Sequence, residues 1–179
     1  MRIAYADPPY PGCAHLYKDQ PDYRGEVDHR ALAHRLEDEY DGFCLHTAST
    51  TLLDVLPHFY QTPRVMAWVK PFAAFKANVS IAYAWEPVLV KAARKPIVKP
   101  GMIYRDFVSE PITLKRGLVG VKPERVCTWL SRTWLPSSRC WSYERHRPES
   151  NWRARLCRPL PNHSATVPGD IYSRVLVAS

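Results

Sequence analysis

The chain has 179 residues, 46% of them hydrophobic, enough for one domain with a sizeable core. No stretch approaches the ~18 consecutive apolar residues of a membrane-spanning helix, and no basic-then-apolar leader opens the chain; a reduced, cytoplasmic protein without a membrane partner is expected. The formal net charge of +8 points to an anionic partner, yet residues 1–130 hold 17 Lys+Arg against 14 Asp+Glu, a net of +3, while residues 131–179 hold 8 Arg against 3 acids, a net of +5. A mildly basic body suits nucleic acid and is also ordinary for a soluble protein.

The first predicted element is a short strand, Arg2 to Ala6, that ends abruptly in Asp7-Pro8-Pro9-Tyr10. Residues 11–27 carry Pro, Gly, Tyr and charges without a clear period, as a loop that closes over substrate or as a solvated connection. Asp28 is placed to cap a helix to about Tyr40, with Leu32, Leu36 and Tyr40 spaced four apart on one face and Gly42 as its stop; His29 and His34 are surface histidines on this reading. Phe43 to Thr47 is a buried strand, with His46 at its end as a core-edge polar group or a functional residue. Ser49 or Thr50 starts a second helix to about Tyr60, turning Leu52, Leu53, Leu56 and Phe59 inward, with Pro57 as a kink and Pro63 as its end. Val65 to Val69 is a third strand. Strand, helix, strand, helix, strand is the pattern of a largely parallel sheet covered by helices.

Residues 71–80 are irregular. The apolar run from Ile81 to Val90 should be split at Trp85-Glu86-Pro87 into two edge strands, since proline cannot donate to a ladder. Lys91, Arg94, Lys95, Lys99 and Arg105 follow, interleaved with Tyr104 and Phe107. Such mixtures hold phosphates and stack bases, so 71–115 is a candidate substrate-recognition insert, with a solvated loop as the alternative. Pro123 at a first helical position, with Val126, Trp129 and Leu130 at helical spacing, sets a helix from near Lys122. The five cysteines, Cys13, Cys44, Cys127, Cys140 and Cys157, have no paired C-x-x-C spacing, and Cys13 with His15 is a weak ligand set, so no metal is expected.

A strand that delivers an acid, two prolines and an aromatic at its carboxyl end places them where open α/β sheets bind ligands. These residue types suit methylation of an exocyclic amine on a nucleobase. The amine is a poor nucleophile because its lone pair is delocalised into the ring, and acceptors for both amine hydrogens favour a pyramidal nitrogen. Asp7 offers a carboxylate, and the carbonyl of Pro8 or Pro9 a second acceptor, in a loop that proline stiffens and strips of donors. Tyr10 would stack on a base taken out of its helix. With a sulfonium methyl donor, alignment supplies much of the rate. Ordinary turn chemistry is the competing account of an Asp-Pro-Pro.

Asp7-Pro8-Pro9-Tyr10 resembles the catalytic motif of the DNA amino-methyltransferases, above all the adenine-specific ones; cytosine-amine enzymes more often carry Ser where Asp7 stands. Arg64-Val65-Met66-Ala67-Trp68-Val69-Lys70-Pro71 and Tyr83-Ala84-Trp85-Glu86-Pro87-Val88-Leu89-Val90 resemble stretches of the same family, particularly its phage and bacterial members and the related group with RNA adenosine methyltransferases. Gly120-Val121-Lys122-Pro123-Glu124 resembles the segment that leads into a helix and helps hold the donor. The resemblance covers about residues 1–130. It implies a Rossmann-like α/β methyltransferase fold with a mostly parallel sheet, circularly permuted, with the catalytic motif first and the donor-binding motif last. It implies S-adenosylmethionine as cofactor, DNA as partner and the adenine amine as target. Asp7 with a proline carbonyl would polarise the amine, Tyr10 would stack on the base, and Lys122, Pro123 and Glu124 would border the donor.

In that family the donor-binding strand and glycine-rich turn should follow Leu130. Between Gly120 and Gly169 there is no glycine, and Ser131 to Thr166 lacks Val, Ile, Phe, Met and Lys. A central parallel strand needs β-branched apolar residues, and a close backbone approach needs glycine. Arg without Lys, with raised Trp, Cys, Ser and Pro, is what out-of-frame reading of a G+C-rich gene yields. A frameshift or truncation near residue 130 is therefore expected, and impaired activity with it. The competing account is an Arg-rich arm whose Trp134, Trp141 and Trp152 stack bases. Two other functions stay open: a non-catalytic nucleic-acid-binding remnant, and an amino-methyltransferase acting on RNA or on cytosine.

Overall fold

In the computed structural model, which describes residues 2–19, 23–72, 79–93, 95, 100–101, 103–113, 121–133 and 175–178, the apolar runs pair into one sheet. Its strands are β1 (Ile3–Ala6), β2 (Gly42–His46), β3 (Arg64–Val69), β4 (Trp85–Lys91), β5 (Phe107–Ser109) and β6 (Val175–Ala178), in the order β5-β3-β4-β2-β1-β6. β1 is parallel to β2 and β3 to β5, whereas β4 is antiparallel to both β2 and β3, and β6 to β1. The α/β class expected from the alternation of elements is present, but the sheet is mixed rather than mostly parallel. β1, β2, β3 and β5 point one way; β4 returns against β3, a connection that needs no helical crossover.

The helices are α1 (His29–Glu39), α2 (Leu52–Val55) and α3 (Glu124–Thr133). α1 begins where the Asp28 carboxylate accepts from the Ala31 N–H at 2.9 Å, satisfying one of the donors every helix start leaves open. Its Leu32 and Leu36 are fully buried. Tyr40 is buried too, but lies just past the helix in extended backbone. Gly42 does not stop α1; it opens β2, for a different reason. A Cβ there would sit 2.6 Å from the Ala93 backbone nitrogen, so the strand needs glycine for close approach. Gly42→Ala should lower stability by about 1–3 kcal/mol, the usual cost of overpacking, read as a lower urea midpoint.

The single second helix expected over residues 49–60 is broken into a tight turn at Ser49–Thr51, one turn of α2, and another tight turn at Leu56–His58. Pro57 lacks the N–H that would continue the ladder. The shortened helix turns Leu53 outward, 77% exposed, and buries Val55 and Phe59.

The two edge strands expected around Trp85-Glu86-Pro87 are not formed: residues 81–84 are in no strand, and β4 begins at Trp85 and carries Pro87 as an interior strand between β3 and β2. The Pro87 carbonyl accepts from the Thr47 N–H at 3.2 Å, and a residue's N–H and C=O share one side of a strand. The donor that proline lacks therefore faces the position just beyond the last residue of β2, where the ladder has already ended.

Helices cover both faces of the sheet. On one, Ala4, Ala6, Phe43, Leu45 and Leu89 pack with Leu32, Ala33 and Leu36 of α1 and with Val55 and Phe59. On the other, Ile3, Tyr5, Cys44, Met66, Trp68, Val88, Val90 and Val108 pack with Val126 and Leu130 of α3. Pro123 stands just before α3, its carbonyl accepting from Val126 at 3.0 Å and Cys127 at 3.3 Å. Residues 134–174, where the family's donor-binding strand and turn would fall and whose sequence lacks their pattern, lie outside the described residues with Trp134, Cys140, Trp141, Trp152 and Cys157. No helix among the described residues is long and apolar enough to cross a membrane.

Candidate active site

The strand directions gather four segments at one edge. The carboxyl ends of β1, β2 and β3 meet the start of the reversed β4 there. Register sets the row: Ala6 pairs with Leu45 in β1–β2, His46 with Val88 in β2–β4, and Trp68 with Glu86 in β3–β4. Asp7 follows β1 directly. Alternation along the strands turns Tyr5, Glu86 and Trp68 to the face that α3 covers, and Lys122, just ahead of α3, reaches into them.

Lys122 is the hub. Its Nζ donates to Asp7 Oδ1 at 2.9 Å, Glu86 Oε1 at 3.0 Å and the Tyr10 hydroxyl at 2.9 Å. An ammonium has three N–H donors, so these three acceptors use it completely. Its side chain is 9% exposed, against 18% for Asp7 and 5% for Glu86. Nζ also lies 5.3 Å from the centre of the Tyr10 ring and 5.8 Å from that of Trp68, within reach of cation–π attraction. Burial alone would depress the Lys122 pKa; Asp7 first, then Tyr10 and Glu86, outweigh it and raise it well above the usual lysine value.

Glu86 sits in the centre of a second layer. Oε1 also accepts from His46 Nδ1 at 2.9 Å, and Oε2 from Lys70 Nζ at 3.0 Å. Burial works against its charged form, yet Lys122, the His46 hydrogen bond and Lys70 prevail and hold the carboxyl well below the usual range. A carboxylate can only accept, so His46 carries its proton on Nδ1, and its Nε2 takes the Tyr5 hydroxyl at 2.9 Å. Tyr5 remains a protonated donor because burial, then Cys127, Cys44 and Asp7, push its pKa well up. Its oxygen lies 3.5 Å from Cys127 Sγ on α3. The chain Cys127–Tyr5–His46–Glu86–Lys122–Asp7 thus runs from α3 through the sheet and back to the strand-end loop.

The loop itself is fixed on its far side. The Cys13 N–H donates to the Tyr10 carbonyl at 2.8 Å, and Gly12 has φ of 75°. With Pro11 before it, this is a type II turn, which requires a residue tolerant of positive φ at that place. The Gly12 N–H donates to Glu26 Oε1 at 2.8 Å. Pro8 and Pro9 are buried. His29, expected at the surface, has both ring nitrogens buried beside the Pro9 carbonyl. Burial, first among the causes, holds its pKa below the usual imidazole value.

The residues singled out in the sequence fall in three places. Asp7, Tyr10 and Lys122 come together within hydrogen-bond distance, with Pro8 and Pro9 shaping the loop. Pro123 is buried against α3, and Glu124 is exposed on its first turn. Lys91 pairs with Phe43 at the other end of β4, about 17 Å from Glu86 at ~3.3 Å per residue. Arg105 stacks its guanidinium on Phe107 at 5.6 Å, and its carbonyl accepts from Trp129 Nε1 at 3.2 Å; Lys95 is exposed. Arg94 and Lys99 lie outside the described residues. Glu86, His46, Tyr5 and Lys70 complete the cluster; of these only His46 was weighed from sequence, as a functional residue or a core-edge polar group, and the other three were not among the expected site residues. Their signal was a lone polar residue at the end of an apolar strand, which is costly to bury without a partner. No group of three or more His, Cys, Asp or Glu suited to a metal occurs among the described residues.

Fold and geometry together define an α/β protein with a charge-paired polar cluster buried at the carboxyl edge of its sheet. No family model, curated protein or solved structure matches the chain.

Proposed function

We propose that this site serves methyl transfer from S-adenosylmethionine to the exocyclic amine of adenine in DNA. The observation that carries this reading is Asp7 held at the strand end with one oxygen on Lys122 and Oδ2 without a partner among the described residues. That oxygen and a carbonyl of the Pro8-Pro9 segment are the two acceptors an amine needs. Tyr10, partly exposed beside them, offers a ring face to a base. When bound, S-adenosylmethionine supplies an electrophilic methyl group. Asp7 would accept from the amine and take its proton as the carbon–nitrogen bond forms and the methyl–sulfur bond breaks, the donor leaving as a thioether; Lys122 would hold the carboxylate in place through its ion pair at 2.9 Å; Tyr10 would hold the base flat.

The fit to the donor rests on the catalytic-motif half alone. Lys122 borders the amine site, and Glu124 stands in the adjoining first turn of α3. Calorimetric titration of the full chain with S-adenosylmethionine tests this reading: micromolar binding, with labelled methyl in N6-methyladenine after incubation with DNA, supports it, and weak binding with slow transfer is the result expected of a chain without the donor-binding strand and turn. A folded protein that binds DNA in a salt-dependent way but takes no donor would replace this reading with that of a non-catalytic nucleic-acid-binding remnant. Label in cytosine or in RNA nucleosides would move the substrate, not the mechanism.

A further inference from the structure

We infer that Glu86 is a positioning residue of this site: by sharing the Lys122 ammonium with Asp7, it confines Lys122 to one oxygen of Asp7 and leaves the other open to the amine. The inference rests on the methyl-transfer reading for its consequence, though not for its geometry.

A lysine ammonium beside a lone aspartate is free to slide between both oxygens, and a flexible stem lets it do so. Here it cannot. Its three protons are taken by Asp7 Oδ1, Glu86 Oε1 and the Tyr10 hydroxyl, so none remains for Asp7 Oδ2. Glu86 in turn cannot swing toward Asp7, because His46 Nδ1 holds Oε1 at 2.9 Å and Lys70 Nζ holds Oε2 at 3.0 Å. His46 is fixed by the Tyr5 hydroxyl on its other nitrogen. Two ammoniums and two carboxylates alternate along the edge, Asp7–Lys122–Glu86–Lys70, and the inner carboxylate decides where the inner ammonium stands. Glu86 touches Lys122 and not the substrate, so its effect on turnover passes entirely through Lys122 and Asp7.

The test is lysine ¹⁵N NMR of the full chain, with the Lys122 ammonium assigned by its contacts to the Tyr10 ring. In the wild type this resonance should be protected from solvent exchange. Glu86→Gln should speed that exchange by about tenfold or more, as local opening does, because a carboxamide nitrogen would confront an ammonium. Should Glu86→Gln not fold, the charge-balanced pair Lys70→Met with Glu86→Met gives the same readout, since apolar replacement of a whole buried pair is commonly tolerated. Where the wild type transfers methyl groups, kcat should fall about tenfold or more with KM for DNA within about threefold, the mark of lost alignment. Unchanged Lys122 exchange overturns the inference, and so does faster exchange with unchanged kcat. Faster exchange in a protein that never transfers methyl would leave Glu86's hold on Lys122 standing and sink the methyl-transfer reading instead.

Discussion

Lys122→Met should lower the unfolding free energy by roughly 3–5 kcal/mol, the usual result of removing one partner from a buried ion pair. Two carboxylates and a phenol lose a shared donor at once, and Asp7 and Glu86 are left facing each other. The pH dependence identifies the cause. In the wild type, Glu86 has a depressed folded pKa, so its contribution is present above the unfolded value of ~4.3 and is lost as pH falls through the folded one. Lys122 has a raised folded pKa, so its contribution is complete below ~10.4 and is lost as pH rises through the folded value. The cluster therefore stabilises evenly from about pH 5 to 10. In the variant, like charges crowd one site and raise one carboxyl; that group stabilises at low pH and weakens the fold as pH rises. Urea midpoints of the two proteins should therefore converge between pH 7 and pH 4. A gap that stays constant or widens would remove Lys122 as the neutralising partner.

If the site transfers methyl groups as proposed, Asp7→Ala should abolish that transfer, by a factor on the order of 10²–10³ or more, the scale seen when one well-placed polar group is deleted from a reacting centre. On the proposed reading the loss should fall on kcat, because the carboxylate would contact the amine most strongly as charge develops on nitrogen. The fold should survive: the Asp7 side chain is 18% exposed against 5% for Glu86, and the ammonium keeps Glu86 and Tyr10. Circular dichroism should match the wild type while transfer of labelled methyl to DNA disappears. Near-wild-type turnover would remove Asp7 from the mechanism.

Local pattern carried the fold as far as periodicity reaches. β1, β2 and β3 are continuous apolar runs, α1 has its Asp28 cap and Leu32–Leu36 face, and α3 repeats Val126–Leu130. Pro57 was legible as an interruption but not in its outcome, since whether proline kinks a helix or divides it depends on the packing of Val55 and Phe59. Pro87 misled because its cost depends on which side of the strand faces a neighbour, and sequence does not carry that register. The site was half legible for the same reason. Asp7 and Tyr10 announce themselves in four consecutive residues. Glu86 and His46 matter through partners 40 positions apart, and only a folded sheet with β4 reversed brings them together.

The Tyr5–Cys127 contact spans 122 positions, and Lys122 comes after every other charged member of its cluster in the chain. During synthesis, Asp7, His46, Lys70 and Glu86 leave the ribosome before the cation that neutralises the two acids at their centre. Until Lys122 arrives, closing the sheet would bury Asp7 beside Glu86 with one ammonium too few, at a cost of several kcal/mol. The last strand ends and the first should accordingly stay parted, and the edge should lock late and in one step. Non-local closure of this kind slows folding. A nascent or truncated chain ending before α3 should keep the carboxyl ends of β1 and β2 open and be cut faster by proteases than the full chain.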